Sequence, residues 1–65
     1  MNENIFNALN NGKKIRRKGW GGYWVKENNS VVIYCKDGNK LDIRQTEDVF
    51  FTLSNIVADG WEIVD

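Results

Sequence analysis

Sixty-five residues with one cysteine, no histidine and no proline confine this chain to a single small domain without an internal disulfide or a Cys/His zinc centre. Nine Lys/Arg against nine Asp/Glu argue against a general nucleic-acid binder, whose affinity rests on a net basic footprint. No apolar run approaches the roughly 20 residues of a membrane span, the polar start Asn2-Glu3-Asn4 is not a secretory signal, and a lone thiol suits a reducing compartment, so the expected location is cytoplasmic.

The neutral total hides a split. Residues 1–32 carry six Lys/Arg and two Asp/Glu, a balance of +4, whereas residues 33–65 carry three and seven, a balance of −4. A chain this short buries only about 60% of its unfolded surface, and small domains need a staple or a partner. The aromatic load of three Trp, three Phe and two Tyr together with the charge split therefore predicts a homo-oligomer.

In chain order, Asn2 or Asn4 can cap a short helix that places Ile5, Phe6, Ala8 and Leu9 on one face. Gly12 ends it. Lys13–Lys18 reads as the first strand. Alternation puts Ile15 and Arg17 on one face and Lys14, Arg16 and Lys18 on the other. An inward Ile15 brings Arg17 to the edge of the core, where its guanidinium needs a carboxylate of this chain or an anionic ligand. Glu62 and Asp59 are the expected carboxylates.

Gly19-Trp20-Gly21-Gly22 breaks the strand and allows a close backbone approach. Tyr23–Glu27 and Val31–Lys36 form a hairpin across Asn28-Asn29-Ser30. A second hairpin turns through Asp37-Gly38 or Gly38-Asn39 into Lys40–Arg44. Neither face of Val31–Lys36 is plainly polar, which predicts a strand that is central or covered on both sides, with Cys35 as a small core residue. After the polar connection 45–48 comes an apolar run, Val49–Leu53. Ser54 is expected to cap a helical turn over 55–59, closed by Gly60. Trp61–Val64 is the last strand, with Trp61 and Ile63 on one face and Glu62 on the other. The fold class is α+β: a short N-terminal helix packed on a small antiparallel sheet, with a helical turn before the last strand. One domain spans residues 1–65.

Two stretches then stand out together, Phe6-Asn7-Ala8-Leu9 leading to Gly12-Lys13-Lys14-Ile15-Arg16-Arg17-Lys18-Gly19-Trp20, and Ser54-Asn55-Ile56-Val57-Ala58-Asp59-Gly60-Trp61-Glu62-Ile63. The pair resembles a family of small phage and prophage proteins that begin Ala-Leu…Gly-Lys-x-Val-x-Arg-x-Gly-Trp and end near Asp-Leu-Leu-Ala-x-Asp-Trp-Glu. This pattern is similar to the second Thoeris anti-defence family. Its members sequester cyclic ADP-ribose-type signals made by bacterial TIR-domain enzymes, and some relatives are described as Cas9 inhibitors. Asn55 and Gly60 stand where that family is expected to carry aspartates, and the middle of the chain looks shorter. The resemblance implies a homo-oligomer (dimer or tetramer) acting in the cytoplasm of an infected bacterium.

Such a ligand offers a base to stack on, a pyrophosphate and ribose hydroxyls. Trp20, Tyr23 and Trp24 can stack, Arg17 can fork onto phosphate, and Asn55 and Asp59 can bind hydroxyls. Those six are the expected ligand-binding residues. The Gly21-Gly22 backbone can add amide donors, and a shared pocket between subunits suits so small a chain. Trp20, set between glycines, is the expected platform, and Trp61 the expected core filler. With no histidine as base and scattered carboxylates, neither catalytic residues nor a metal or cofactor is expected. The expected function is a non-enzymatic sponge for a cyclic nucleotide immune signal. The alternatives are a protein inhibitor of a Cas9-type nuclease and a small β-rich RNA-binding module.

Overall fold

Asn2 opens the first helix: its side-chain oxygen accepts the Ile5 N–H at 2.9 Å, satisfying one of the orphan donors of the first turn. In the computed structural model, which describes residues 1–64, this helix, α1, spans Glu3–Asn10. It closes where Gly12 takes a φ of +85° and Lys13 N donates back to the Ala8 carbonyl. The strands are β1 Lys14–Arg17, β2 Tyr23–Glu27, β3 Ser30–Tyr34, β4 Lys40–Asp42 and β5 Trp61–Val64. A 3-10 turn spans Ile43–Gln45, and a second helix, α2, spans Val49–Val57.

All strand pairings are antiparallel, in the order β4-β3-β2-β1-β5. The α+β architecture follows the sequence pattern, with the helical element before the last strand. Register fixes the two faces. Ile15 stands opposite Trp24 and Ile63, Trp24 opposite Ile33, and Ile33 opposite Leu41. These residues share the face on which α1 lays Ile5, Ala8 and Leu9, and the core forms there around Ile15, Trp24 and Trp61; Phe6, expected on the same face of the helix, is instead exposed. Ile15 is fully buried, as its inward register requires. The opposite face carries Lys14, Arg16, Tyr23, Val25, Val32 and Tyr34.

Several boundaries differ from expectation. Asn28 and Asn29 both have positive φ, 52° and 64°, which gives a two-residue turn of the kind whose twist matches a hairpin. Ser30 therefore pairs with Glu27, and β3 starts at Ser30. It ends at Tyr34 because the turn that follows ties Cys35 N to Asn39 O and Gly38 N to Cys35 O. The strand is interior and half-buried along its length, but only one of its faces is covered by helix. Lys40–Arg44 stops as a strand at Asp42, whose carboxylate caps the 3-10 turn.

The largest correction concerns residues 49–57. Ser54 caps nothing. It lies inside α2 and donates to the Phe51 carbonyl. The cap is Asp48, which accepts from Phe51 N at 2.9 Å, so the apolar run is the first half of the helix. Among the described residues no helix is long and apolar enough to cross a membrane.

Candidate ligand pocket

Beyond α1, on the same sheet face, a pocket of about 630 Å³ lies between Trp24, Ile33 and Leu41 of the sheet, the Gly19–Gly22 loop, and the 3-10 turn and α2. Each wall has a local cause. Gly22 lets the loop pass against β3, since a Cβ there would collide with the Tyr34 carbonyl oxygen. Asp42 holds the 3-10 turn in place: it accepts the Arg44 N–H at 2.8 Å and the guanidinium of the same residue through both oxygens at 2.9 and 3.0 Å. Those bonds from Arg44 keep the Asp42 carboxyl well below the usual carboxylate range and raise the Arg44 pKa above its ordinary value. Across the sheet, Tyr34 donates to Glu27 at 2.7 Å, which pushes its phenol above the ordinary tyrosine value.

Four of the six expected residues border this pocket: Trp20, Tyr23, Trp24 and Asn55. Trp24 is buried, 4% exposed. Trp20 is half-buried and does two jobs. It borders the pocket, and it packs on Trp61 (centroids 5.2 Å apart, edge-on) and on Trp24 (6.0 Å, tilted), so it is not the free-standing platform its glycine neighbours suggest. Tyr23 sits beside Trp24 in β2, and alternation turns its side chain to the opposite sheet face. There its ring stacks on Tyr34 at 4.8 Å and lies under the Lys14 ammonium.

Asn55 is 3% exposed and ties three elements together. Its Oδ1 accepts from Arg17 Nη1 at 2.8 Å, its Nδ2 donates to Phe51 O, and its carbonyl accepts from Trp61 Nε1. A carboxamide has four hydrogen-bonding positions. These bonds use one Nδ2 hydrogen and one Oδ1 lone pair, leaving one of each.

Arg17 and Asp59 stand outside the lining. Arg17 lies behind Asn55, and its Nε is buried with no partner among the described residues. The expected carboxylate for Arg17 is corrected: Glu62 stands opposite Arg16 in the ladder and pairs with Arg16 at 2.9 Å, on the face Arg17 does not share. Asp59 is exposed in the turn before β5 and makes no ion pair with Arg17 among the described residues. Arg17 instead holds a neutral amide.

The charged groups bordering the pocket are Lys36, Glu47 and Asp48, and the half-buried thiol of Cys35 lies at its margin. Gln45, Thr46 and Thr52 add neutral donors and acceptors, and Phe51 an apolar edge. Those residues escape sequence reading unless Asp48 is recognised as the cap. Then Asp48, Thr52 and Asn55 fall on one helical face at spacings of four and three. No group of three or more His, Cys, Asp or Glu side chains is placed to hold a metal ion among the described residues. Comparison with protein-family models, with curated proteins and with solved structures finds no match to this chain.

Proposed function

We propose that this protein is a non-enzymatic sponge: it binds a cyclic nucleotide immune signal of the cyclic ADP-ribose isomer type and, by lowering the free signal, blocks a bacterial anti-phage defence. The observation that carries the reading is the pocket itself. Its volume of about 630 Å³ falls in the range of small-molecule sites, roughly 300–1,000 Å³. Indole surface from the half-buried Trp20, backed by the buried Trp24, offers a base something to stack on, at about 1–3 kcal/mol per base. The remaining hydrogen-bonding positions of Asn55, with Thr52 and Gln45, suit ribose hydroxyls. Lys36, which has no ion-pair partner among the described residues, can meet a phosphate oxygen.

The mechanism is mass action, so copy number and affinity decide the outcome and no bond need be broken. The protein works in this reading as a homo-oligomer in the cytoplasm of the infected cell.

A thermal-shift titration tests it. Ligand at about 100 times its dissociation constant stabilises the native state by roughly 2.7 kcal/mol, which raises the melting temperature of a domain this size by about 10–20 °C. Cyclic ADP-ribose isomers are expected to produce that shift, and single-stranded oligonucleotides none. No shift with any isomer at millimolar concentration contradicts the proposal.

A further inference from the structure

A second cavity, of about 320 Å³, opens between α1, the turn end of the β2–β3 hairpin and the 3-10 turn. It shares no lining residue with the pocket described above. Its apolar walls follow from register. Val31 stands two residues before Ile33 on β3, so alternation puts it on the face that α1 covers, and both it and Ile43 pack against the core. On the helix side Leu9 is buried, while Phe6, one turn earlier, is 59% exposed. That ring stands at the mouth of an apolar slot.

The charges that border the slot have one sign. Lys26 and Arg44 line it and no carboxylate does, in a chain with as many acids as bases. The carboxylates closest along the chain are engaged or stand aside. Asp42 holds Arg44, Glu27 accepts from Tyr34 on the opposite sheet face, and Glu3 lies outside the lining.

The two cations are not equivalent. Arg44 is neutralised by Asp42 through Nε and Nη2, and three of its five N–H donors remain. Lys26 is half-buried, and its ammonium meets a neutral amide, Asn10 Oδ1, at 3.0 Å. It has no ion pair among the described residues, and two of its three donors remain. The C-terminal dipole of α1 beside it offsets only about half a unit charge. A cation drawn partly out of water without a counter-ion is costly, so the slot is short of one negative charge.

We propose that this cavity is a second ligand site, one that takes an aryl monocarboxylate. The ring lies in the slot between Phe6 and the Val31–Ile43 wall, and the carboxylate meets the Lys26 ammonium and the free N–H groups of Arg44. One uncompensated charge selects a monoanion over a phosphate dianion. The exposed Phe6 ring selects an aromatic body, and the volume, near the lower end of the roughly 300–1,000 Å³ of small-molecule sites, suits a compact one. The site stands without the nucleotide reading, and its test uses no cyclic nucleotide.

The probe is sodium naphthoate, with naphthalenemethanol as its neutral match, each titrated at neutral pH into the whole chain and followed by backbone amide NMR shifts. Naphthoate is expected to give saturable shifts at Asn10, Lys26, Val31 and Ile43, with a dissociation constant on the order of 1 mM for a ligand of its size. The alcohol should bind about 10-fold more weakly or worse. Lys26→Met keeps the apolar stem and should weaken naphthoate by about 10-fold while leaving the alcohol unchanged. Phe6→Ala should weaken both by about 2- to 10-fold, which keeps the proposal testable should Lys26→Met fail to fold. Lys36→Met, at the other pocket, should change neither. Absence of saturable shifts below about 10 mM naphthoate overturns the proposal, as do shifts that gather at Trp20, Trp24 and Asn55 instead. So does an alcohol that binds as well as the acid, or a folded Lys26→Met chain that binds naphthoate like wild type. Naphthyl phosphate that binds more tightly than naphthoate overturns the monoanion assignment.

Discussion

Arg17 and Asn55 form the hinge pin between sheet and second helix. Removing the guanidinium leaves the Asn55 Oδ1 buried without its donor, a cost of about 1–3 kcal/mol, so Arg17→Ala is expected to lower the melting temperature by roughly 4–20 °C. A melting temperature equal to wild type would place Arg17 outside the fold's hydrogen-bond network. Trp20 has a similar double role. Trp→Ala at a fully buried site costs about 3–5 kcal/mol. Trp20 is half-buried, so Trp20→Ala should cost somewhat less and also weaken nucleotide binding by about 5- to 150-fold through the lost stack. Trp20→Phe keeps an aromatic ring and should recover most of the stability but only part of the affinity. Strand alternation made the inward turn of Arg17 readable from sequence. Its partner was not, because whether Glu62 meets Arg16 or Arg17 depends on the register of β5, which local sequence does not set.

At the scale of elements, the Gly19–Gly22 loop and the 3-10 turn hold the pocket open from two sides. Gly22→Ala forces a Cβ into the Tyr34 carbonyl and should destabilise the fold by about 1–3 kcal/mol, whereas Gly21→Ala meets the Lys36 side chain near its root, which can shift where backbone cannot, and should be milder. Thermal melts of the two variants check the contrast. The turn also gives the fold a pH dependence. Asp42 has a lowered native pKa, so its contribution is present above its ordinary value of 3.8 and is lost as pH falls below it. Tyr34 has a raised native pKa, so its contribution is present below its ordinary value of 10.0 and is lost as pH rises beyond that. Asp42→Asn should flatten the acid limb of a stability–pH profile, and Tyr34→Phe the alkaline limb. Helix α1, the two hairpins and β5 were legible because caps, Asn and Gly turns and period-two alternation all agreed there. Helix α2 was half-legible. Val, Phe and Thr favour strands, and only the cap from Asp48 turns that run into a helix. Its outward apolar arc lay beyond sequence periodicity, since a pattern shows which residues share a face but not which face is covered.

For the whole molecule, the two faces of α2 are unlike: Thr52 and Asn55 on the inner one border the pocket, and Val49, Phe50, Leu53 and Val57 on the outer one are exposed. Of the candidate site, the Trp20–Trp24 wall and Asn55 were readable in the sequence. The contributions of Ile33, Leu41, Gln45 and Thr52 were not, since they come from three other elements brought together only by the sheet order and the cap at Asp48. The central claim is that the protein holds an intact cyclic nucleotide and does not transform it. Mass spectrometry answers this directly, on small molecules released by heating protein that has been incubated with lysate from signal-producing cells and then washed. The account predicts release of a cyclic ADP-ribose-type molecule of unchanged mass, in amounts approaching the number of sites. Release of nothing, or of a hydrolysed linear product, would contradict it.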